Sequence, residues 1–187
     1  MAKATPSTSD IPRLRARPLA RPFHVVLVEP EIPPNTGNVA RLCAATGSPL
    51  HLVGTLGFRI DAHSVRRAGV DYWHLVDVRT HASFDDFLAA FQGEGVAKGG
   101  ANGARLHLFS ATATASYLDA APQPGDAFVF GKESVGLSPE LLGRFADRVV
   151  GIPTLGAVRS HNLANAVGIA LYEALRSVGG LTDPFMG

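Results

Sequence analysis

FHVVLVEPEIPPNTGNVARLCAATGSPLHLVG, residues 23–54, is the stretch on which the fold turns. FHVVLVE (23–29) is a short apolar run of the kind a strand buried on both faces shows. From Asn38 to Ala45, Val39, Leu42 and Cys43 fall on one helical face, and Gly47 stops the helix. PLHLVG (49–54) is a second apolar run. Strand, helix and strand in so short a span form a βαβ unit, and that unit requires parallel strands.

The same alternation continues outward. Asp61 can cap a short helix ending near Gly69, and YWHLVDV (72–78) is strand-like. Ser83 with Asp86 three residues later signals a capping box before Phe84, Phe87, Leu88 and Phe91. GEGVAKGGANG (93–103) reads as a loop. RLHLFSA (105–111), DAFVFG (126–131) and RVVGIP (148–153) read as three more strands. Ser138-Pro139 opens a helix to about Phe145, and Leu163 to Val178 is the longest helical pattern. The expectation is an α/β fold with a mainly parallel sheet flanked by helices. In such sheets ligands sit at the carboxyl ends of strands. Three loops in that position are rich in Gly, Pro, Asn and Arg: EPEIPPNTGN, GKESVG and IPTLGAVRSHN.

Composition narrows the classes. Hydrophobic residues at 46% and charged residues at 18% supply a core and exclude global disorder. No apolar stretch approaches the ~20 residues of a membrane-spanning helix. One cysteine, Cys43, excludes an internal disulfide framework and a cysteine-based zinc site; it lies on the apolar helix face and reads as core. The net charge of +1 is unevenly spread. Residues 1–22 hold Lys3, Arg13, Arg15, Arg17 and Arg21 against Asp10, a net of +4, so the rest carries −3. This Pro-, Ser-, Thr- and Arg-rich stretch has no helical period and no apolar signal-peptide region. It reads as a disordered basic arm ahead of a single domain over 23–187, and the expected location is cytoplasmic.

Familiar site motifs are missing. No G-x-G-x-x-G follows a strand, and no G-x-S-x-G or HExxH occurs. Gly125 to Lys132 superficially resembles a phosphate loop, but its glycine spacing is wrong and Glu133 stands where Ser or Thr should bind magnesium. The seven histidines show no paired ligand spacing, so packing or surface roles are expected for them and no metal.

Taken together and in order, the three loops resemble the SpoU/TrmH group of SPOUT methyltransferases. The blocks are Asn35-Thr36-Gly37-Asn38-Val39-Ala40-Arg41 after EPEIPP, then Gly131-Lys132-Glu133-Ser134-Val135-Gly136-Leu137. The last is Ile152-Pro153 followed by Val158-Arg159-Ser160-His161-Asn162-Leu163 and Ala164-Asn165-Ala166. The opening block, with RRAGVDYW further on, is most similar to the short tRNA wobble-nucleotide 2′-O-methyltransferases, which act on a pyrimidine ribose of leucine tRNAs. Lys132 and Val135 stand where relatives usually carry proline and a basic residue. Ala157 replaces a frequently polar one.

The resemblance implies a deep C-terminal trefoil knot, S-adenosyl-L-methionine bound there, a homodimer, and tRNA held at its anticodon region. It makes Arg41 the catalytic arginine, held by Asn35, with Glu133 and Asn162 completing the catalytic set. A guanidinium stays protonated in proteins, so Arg41 suits phosphate binding and alkoxide stabilisation better than proton removal. Glu133 is expected to anchor its loop, orient the arginine or receive a proton. Phe109, Gly131, Ile152, Leu155, Ser160 and Leu163 are the implied cofactor contacts. Arg41 and Arg159 are the expected RNA contacts; separately, the basic cluster Arg66-Arg67, with Arg59 upstream, reads either as a tRNA phosphate contact or as a solvated helix face. Ribosomal RNA methylation and a catalytically silent RNA-binding dimer are the alternative readings.

Overall fold

The computed structural model describes residues 12–57, 73–97 and 103–187. Arg59, Arg66, Arg67 and the helix read at Asp61–Gly69 lie outside them. In chain order the elements are β1 (Leu14–Arg15), β2 (His24–Val28), α1 (Pro33–Thr46), β3 (Leu50–Val53) and β4 (Val78–His81). Then come α2 (Phe84–Ala97), β5 (Leu106–Phe109), β6 (Ala127–Phe130) and α3 (Pro139–Arg144). β7 (Val149–Val150), α4 (Leu163–Ser177) and β8 (Phe185–Met186) complete the chain.

Among the described residues six strands form one sheet in the order β4-β3-β2-β6-β5-β7, and each of these pairings is parallel. Val25 pairs with Leu50 on one side and Phe128 on the other, so β2 is central, as its fully apolar run requires. One face packs on α1 and α4 through Leu27, Val39, Cys43, Leu52, Val167 and Leu171. The other packs on α2 and α3 through Val26, Val129, Phe87, Phe91 and Leu137. Cys43 is buried and its thiol is pushed up to about 12 by that burial.

Several boundaries differ from the sequence reading. α1 begins at Pro33, not Asn38, because proline is favoured in a first helical turn, where its missing N–H is not needed. Thus most of the loop expected over EPEIPPNTGN is helix, and Asn35 to Gly37 sit in its opening turns. Gly47 ends the helix at φ 68°, as read. The strand expected over 72–78 is displaced: Trp73–Leu75 coil into a short 3-10 turn, and β4 starts only at Val78. β4 lies at the sheet edge, where one open side tolerates the polar VRTH sequence that hid it. α2 runs through Gly93 to Ala97 where a loop was expected; a glycine costs a helix only about 1 kcal/mol. Its capping box is present, with the Asp86 amide donating to Ser83 Oγ at 3.1 Å and that hydroxyl donating to the Asp86 carboxylate at 2.7 Å.

Two features had no counterpart in the sequence reading. β1 pairs antiparallel with β8, so residues 14–15 of the stretch read as an arm are tied to the far end of the chain. Three histidines also form a row under α2: His24 Nδ1 lies 3.0 Å from His51 Nε2, and His51 Nδ1 lies 2.9 Å from His81 Nε2. Burial pushes His51 down to about 3, helped by its neighbouring histidines, so it stays neutral and passes one donor–acceptor direction along the row. The histidines of this row pack, as expected, against Phe87 and Phe91.

Candidate active site

Because the sheet is parallel, the ends of β2, β5, β6 and β7 reach one edge. Glu29 follows β2 in a left-handed conformation, φ 48°, with its amide donating to Val53 O at 2.8 Å. A turn later α1 starts. Gly131 follows β6, and the loop after it folds back so tightly that a Cβ there would lie 2.2 Å from the Gly136 carbonyl carbon and the Leu137 nitrogen. Only glycine fits. Gly136 closes the turn at φ 76°, its amide donating to Lys132 O at 2.9 Å.

These two loops grip each other reciprocally. The Glu133 carboxylate accepts from the Glu31 amide at 2.9 Å, the Ile32 amide at 3.3 Å and Asn35 Nδ2 at 2.9 Å. In return the Glu31 carboxylate accepts from the Ser134 amide and the Ser134 hydroxyl, both at 3.0 Å. Those two bonds hold the Glu31 carboxyl below the usual range. Lys132 Nζ donates to Glu29 at 2.8 Å, which raises the lysine. The third loop joins through Asn162, whose Nδ2 donates to Asn35 Oδ1 at 2.9 Å. Its own Oδ1 caps α4, accepting from the Ala164 amide at 2.9 Å and the Asn165 amide at 3.4 Å. Asn35 is buried and is the knot of the network, with its donor side on Glu133 and its acceptor side on Asn162.

The sequence-predicted residues therefore divide. Asn35, Glu133 and Asn162, from three separate blocks, are in direct contact. Gly131 supports them through the tight turn. Arg41 stands on the exposed side of α1; six residues beyond Asn35 at 100° per residue, it faces about 120° away from it. Phe109 ends β5 and stacks on Phe130 with centroids 4.6 Å apart, so it belongs partly to the core. Leu163 is buried in that core. Ile152 is half-buried, while Leu155, Arg159 and Ser160 are exposed on the loop after β7. Glu29, Glu31, Lys132 and Ser134 were missed as interacting groups. The E-P-E spacing before the prolines was the available signal for the two glutamates.

Two polar atoms beside the network are buried with no hydrogen-bond partner among the described residues: Thr36 Oγ1 and His161 Nε2. Orphaned buried groups are rare, and each calls for a reason such as local strain, a catalytic role or a bound water or ion. Leu155, 108% exposed, and Val158, 62% exposed, extend from the same loop as His161 with nothing covering them. Exposed apolar side chains beside polar loop ends at one sheet edge suit a ligand with both apolar and polar parts. Among the described residues no group of His, Cys, Asp and Glu is placed to hold a metal ion.

This architecture, an all-parallel α/β sheet with three loops laced at its carboxyl edge, carries a family signature. Residues 22–172 match the SpoU rRNA Methylase family, and the chain belongs to that family. It is 46% identical over 158 residues to the tRNA (cytidine(34)-2′-O)-methyltransferase of Burkholderia pseudomallei strain 1106a, covering 84% of this chain and 96% of that one. A solved structure described as giving insights into the 2-OH methylation of C/U34 on tRNA is 48% identical, with a TM-score of 0.76 over 86% of this chain and 98% of that chain. The SpoU methyltransferase AviRb from Streptomyces viridochromogenes, in complex with the cofactor AdoMet, is 26% identical, with a TM-score of 0.70 over 86% of this chain and 62% of that chain.

Proposed function

We propose that this protein transfers a methyl group from S-adenosyl-L-methionine to the ribose 2′-hydroxyl of the wobble pyrimidine of tRNA, leucine tRNAs being the expected substrates. The observation that carries the reading is the contact of Asn35, Glu133 and Asn162 from three loops far apart in sequence. A silent scaffold has no need of so closely satisfied a network at the ligand edge of its sheet.

The cofactor, when bound, supplies a methyl group already activated by a sulfonium charge, so the protein has to align an in-line approach and assist loss of the hydroxyl proton. The loops containing Gly131, Ile152, Leu155 and Ser160 would hold it, with Phe109 and Leu163 behind them. Arg41 presents a fixed cationic fork to the adjoining RNA phosphate and stabilises the alkoxide as it forms. Glu133 serves as the anchor that keeps the first loop and α1 in register with the second.

The reading includes the deep C-terminal knot, which rests on membership of the SpoU family. It also includes a cytoplasmic homodimer built on α1 and α4, near twice 19.6 kDa by light scattering; a fully active monomer contradicts that part. The decisive experiment is mass spectrometry of ribose-methylated nucleosides in tRNA from a strain lacking the protein, with add-back of the purified chain and cofactor. Loss and restoration of one 2′-O-methylated pyrimidine is expected. Unchanged tRNA with altered ribosomal RNA would move the substrate, and no change in either would favour the silent dimer.

A further inference from the structure

The ribbon formed by β1 and β8 lies outside the family match, which spans residues 22–172. It is mounted firmly. The Arg13 amide donates to Gly187 O at 2.8 Å and the Gly187 amide to Arg13 O at 3.0 Å. Leu19 packs against the main core, 3.2 Å from a Cβ position at Gly180 and beside Leu175 at the end of α4. Residues 12–21 contain Arg13, Arg15, Arg17 and Arg21 and no acid, while residues 22–187 carry a net −3. The segment leading into β8 adds one acid, Asp183.

The ribbon's faces differ. Arg15 pairs directly with Phe185, so both side chains point to one side, and both approach Gly187. Leu14 and Met186 form the other pair. Arg15 and Arg17 are exposed, and Phe185 is 47% exposed beside them. A guanidinium for phosphate and an aromatic face for a base are the pairing that binds nucleic acid without reading sequence.

We propose that this terminal ribbon is a second RNA-binding surface, taking the sugar–phosphate backbone of the tRNA away from the target nucleotide. Charge complementarity selects the occupant, because residues 12–21 concentrate four arginines and no acid while the remainder of the chain is net negative. Distance defines the role. Asn162 caps one end of α4 in the active site, and the segment leading to β1 packs at the other, where Leu19 meets Gly180 and Leu175 about 22 Å along the helix at ~1.5 Å per residue. The surface therefore acts on capture of the RNA and not on the reacting atoms.

The proposal rests on the tRNA reading above, and its test separates the two. Binding of an unmodified tRNA transcript to the full chain, loaded with the demethylated cofactor product, is measured by fluorescence anisotropy across a several-fold range of KCl. R15A/R17A should reduce the slope of log Kd against log salt by about 2, one per lost phosphate contact. R15K/R17K should keep the slope, and cofactor affinity should be unchanged in both, which excludes misfolding. If the wild type transfers no methyl to tRNA yet the alanine variant loses slope, the reaction reading fails and the RNA surface stands. If tRNA is methylated and the alanine variant keeps the wild-type slope, the ribbon proposal is overturned and its charge belongs to a protein contact or to none.

Discussion

Replacing Asn35 by aspartate changes one NH2 to an oxygen and almost nothing in shape. Asn35 Nδ2 lies 2.9 Å from the Glu133 carboxylate and the residue is 7% exposed. Asn35→Asp therefore sets two carboxyls against each other, roughly 4 Å between charge centres. At an effective dielectric near 20, two such charges repel by about 4 kcal/mol. Uptake of a proton by the pair limits the damage, since each unit of raised pKa costs about 1.4 kcal/mol. With Glu133 half-buried and the pair able to share a proton, the loss at neutral pH falls below that limit, at about 2–3 kcal/mol. The introduced carboxyl titrates higher folded than unfolded. The variant should thus match the wild type at a pH below the unfolded value of about 3.9, where a protonated carboxyl donates to Glu133 as the amide did. It should lose stability progressively as pH rises through the folded value. Urea titrations of both proteins at stepped pH give the difference directly; at neutral pH it corresponds to a fall in Tm of roughly 5–10 °C. A difference that does not vary with pH, or stays below about 0.5 kcal/mol, refutes the contact as the centre of the network.

Arg41→Ala should lower single-turnover methyl transfer by about 10²–10³ with cofactor affinity within a few-fold, while Arg41→Lys retains a little more activity without the bidentate fork. Retention of more than roughly a third of turnover would remove Arg41 from the site. Asp126, 2% exposed, accepts from the Arg105 amide at 2.8 Å, the Gln123 amide at 2.9 Å and His107 Nε2 at 2.9 Å. Burial raises its carboxyl, but these bonds outweigh it and hold it below the usual range. Asp126→Asn should cost about 2–4 kcal/mol at neutral pH, and the gap should close on acidification through the folded value. An equal gap at acid pH, by the same urea titrations, would contradict this.

The alternation of strands and helices was legible because buried parallel strands are written as apolar runs, VVLV, LHLV and AFVF among them. The order of those strands was not. Nothing local in DAFVFG says that β6 inserts between β2 and β5, because pairing between distant strands depends on which faces α1 and α4 cover. β1 and β8 escaped notice for a related reason: two-residue strands have no period to read. Likewise the residues of the site were legible as types in three blocks, but their contacts were not. The resemblance linked Asn35 to Arg41, and the fold adds what no block shows by itself, that Asn35 also meets Glu133 and Asn162. The glutamates of EPE carried no role in the sequence, because their partners Lys132 and Ser134 lie on a loop more than a hundred residues away.

The reciprocal grip of the loops also sets when the protein becomes competent. Its bonds join residues 98, 102 and 127 positions apart. Contacts of such separation form late, since long stretches of chain must be ordered before any of them closes. During synthesis from the amino terminus, a chain that has not yet delivered Asn162 owns the βαβ unit and even the Glu133 loop, but Asn35 still lacks its third partner. The network thus serves as a completion signal: the pocket edge is assembled by the last helix to arrive, and an unfinished chain presents no organised site to its substrate.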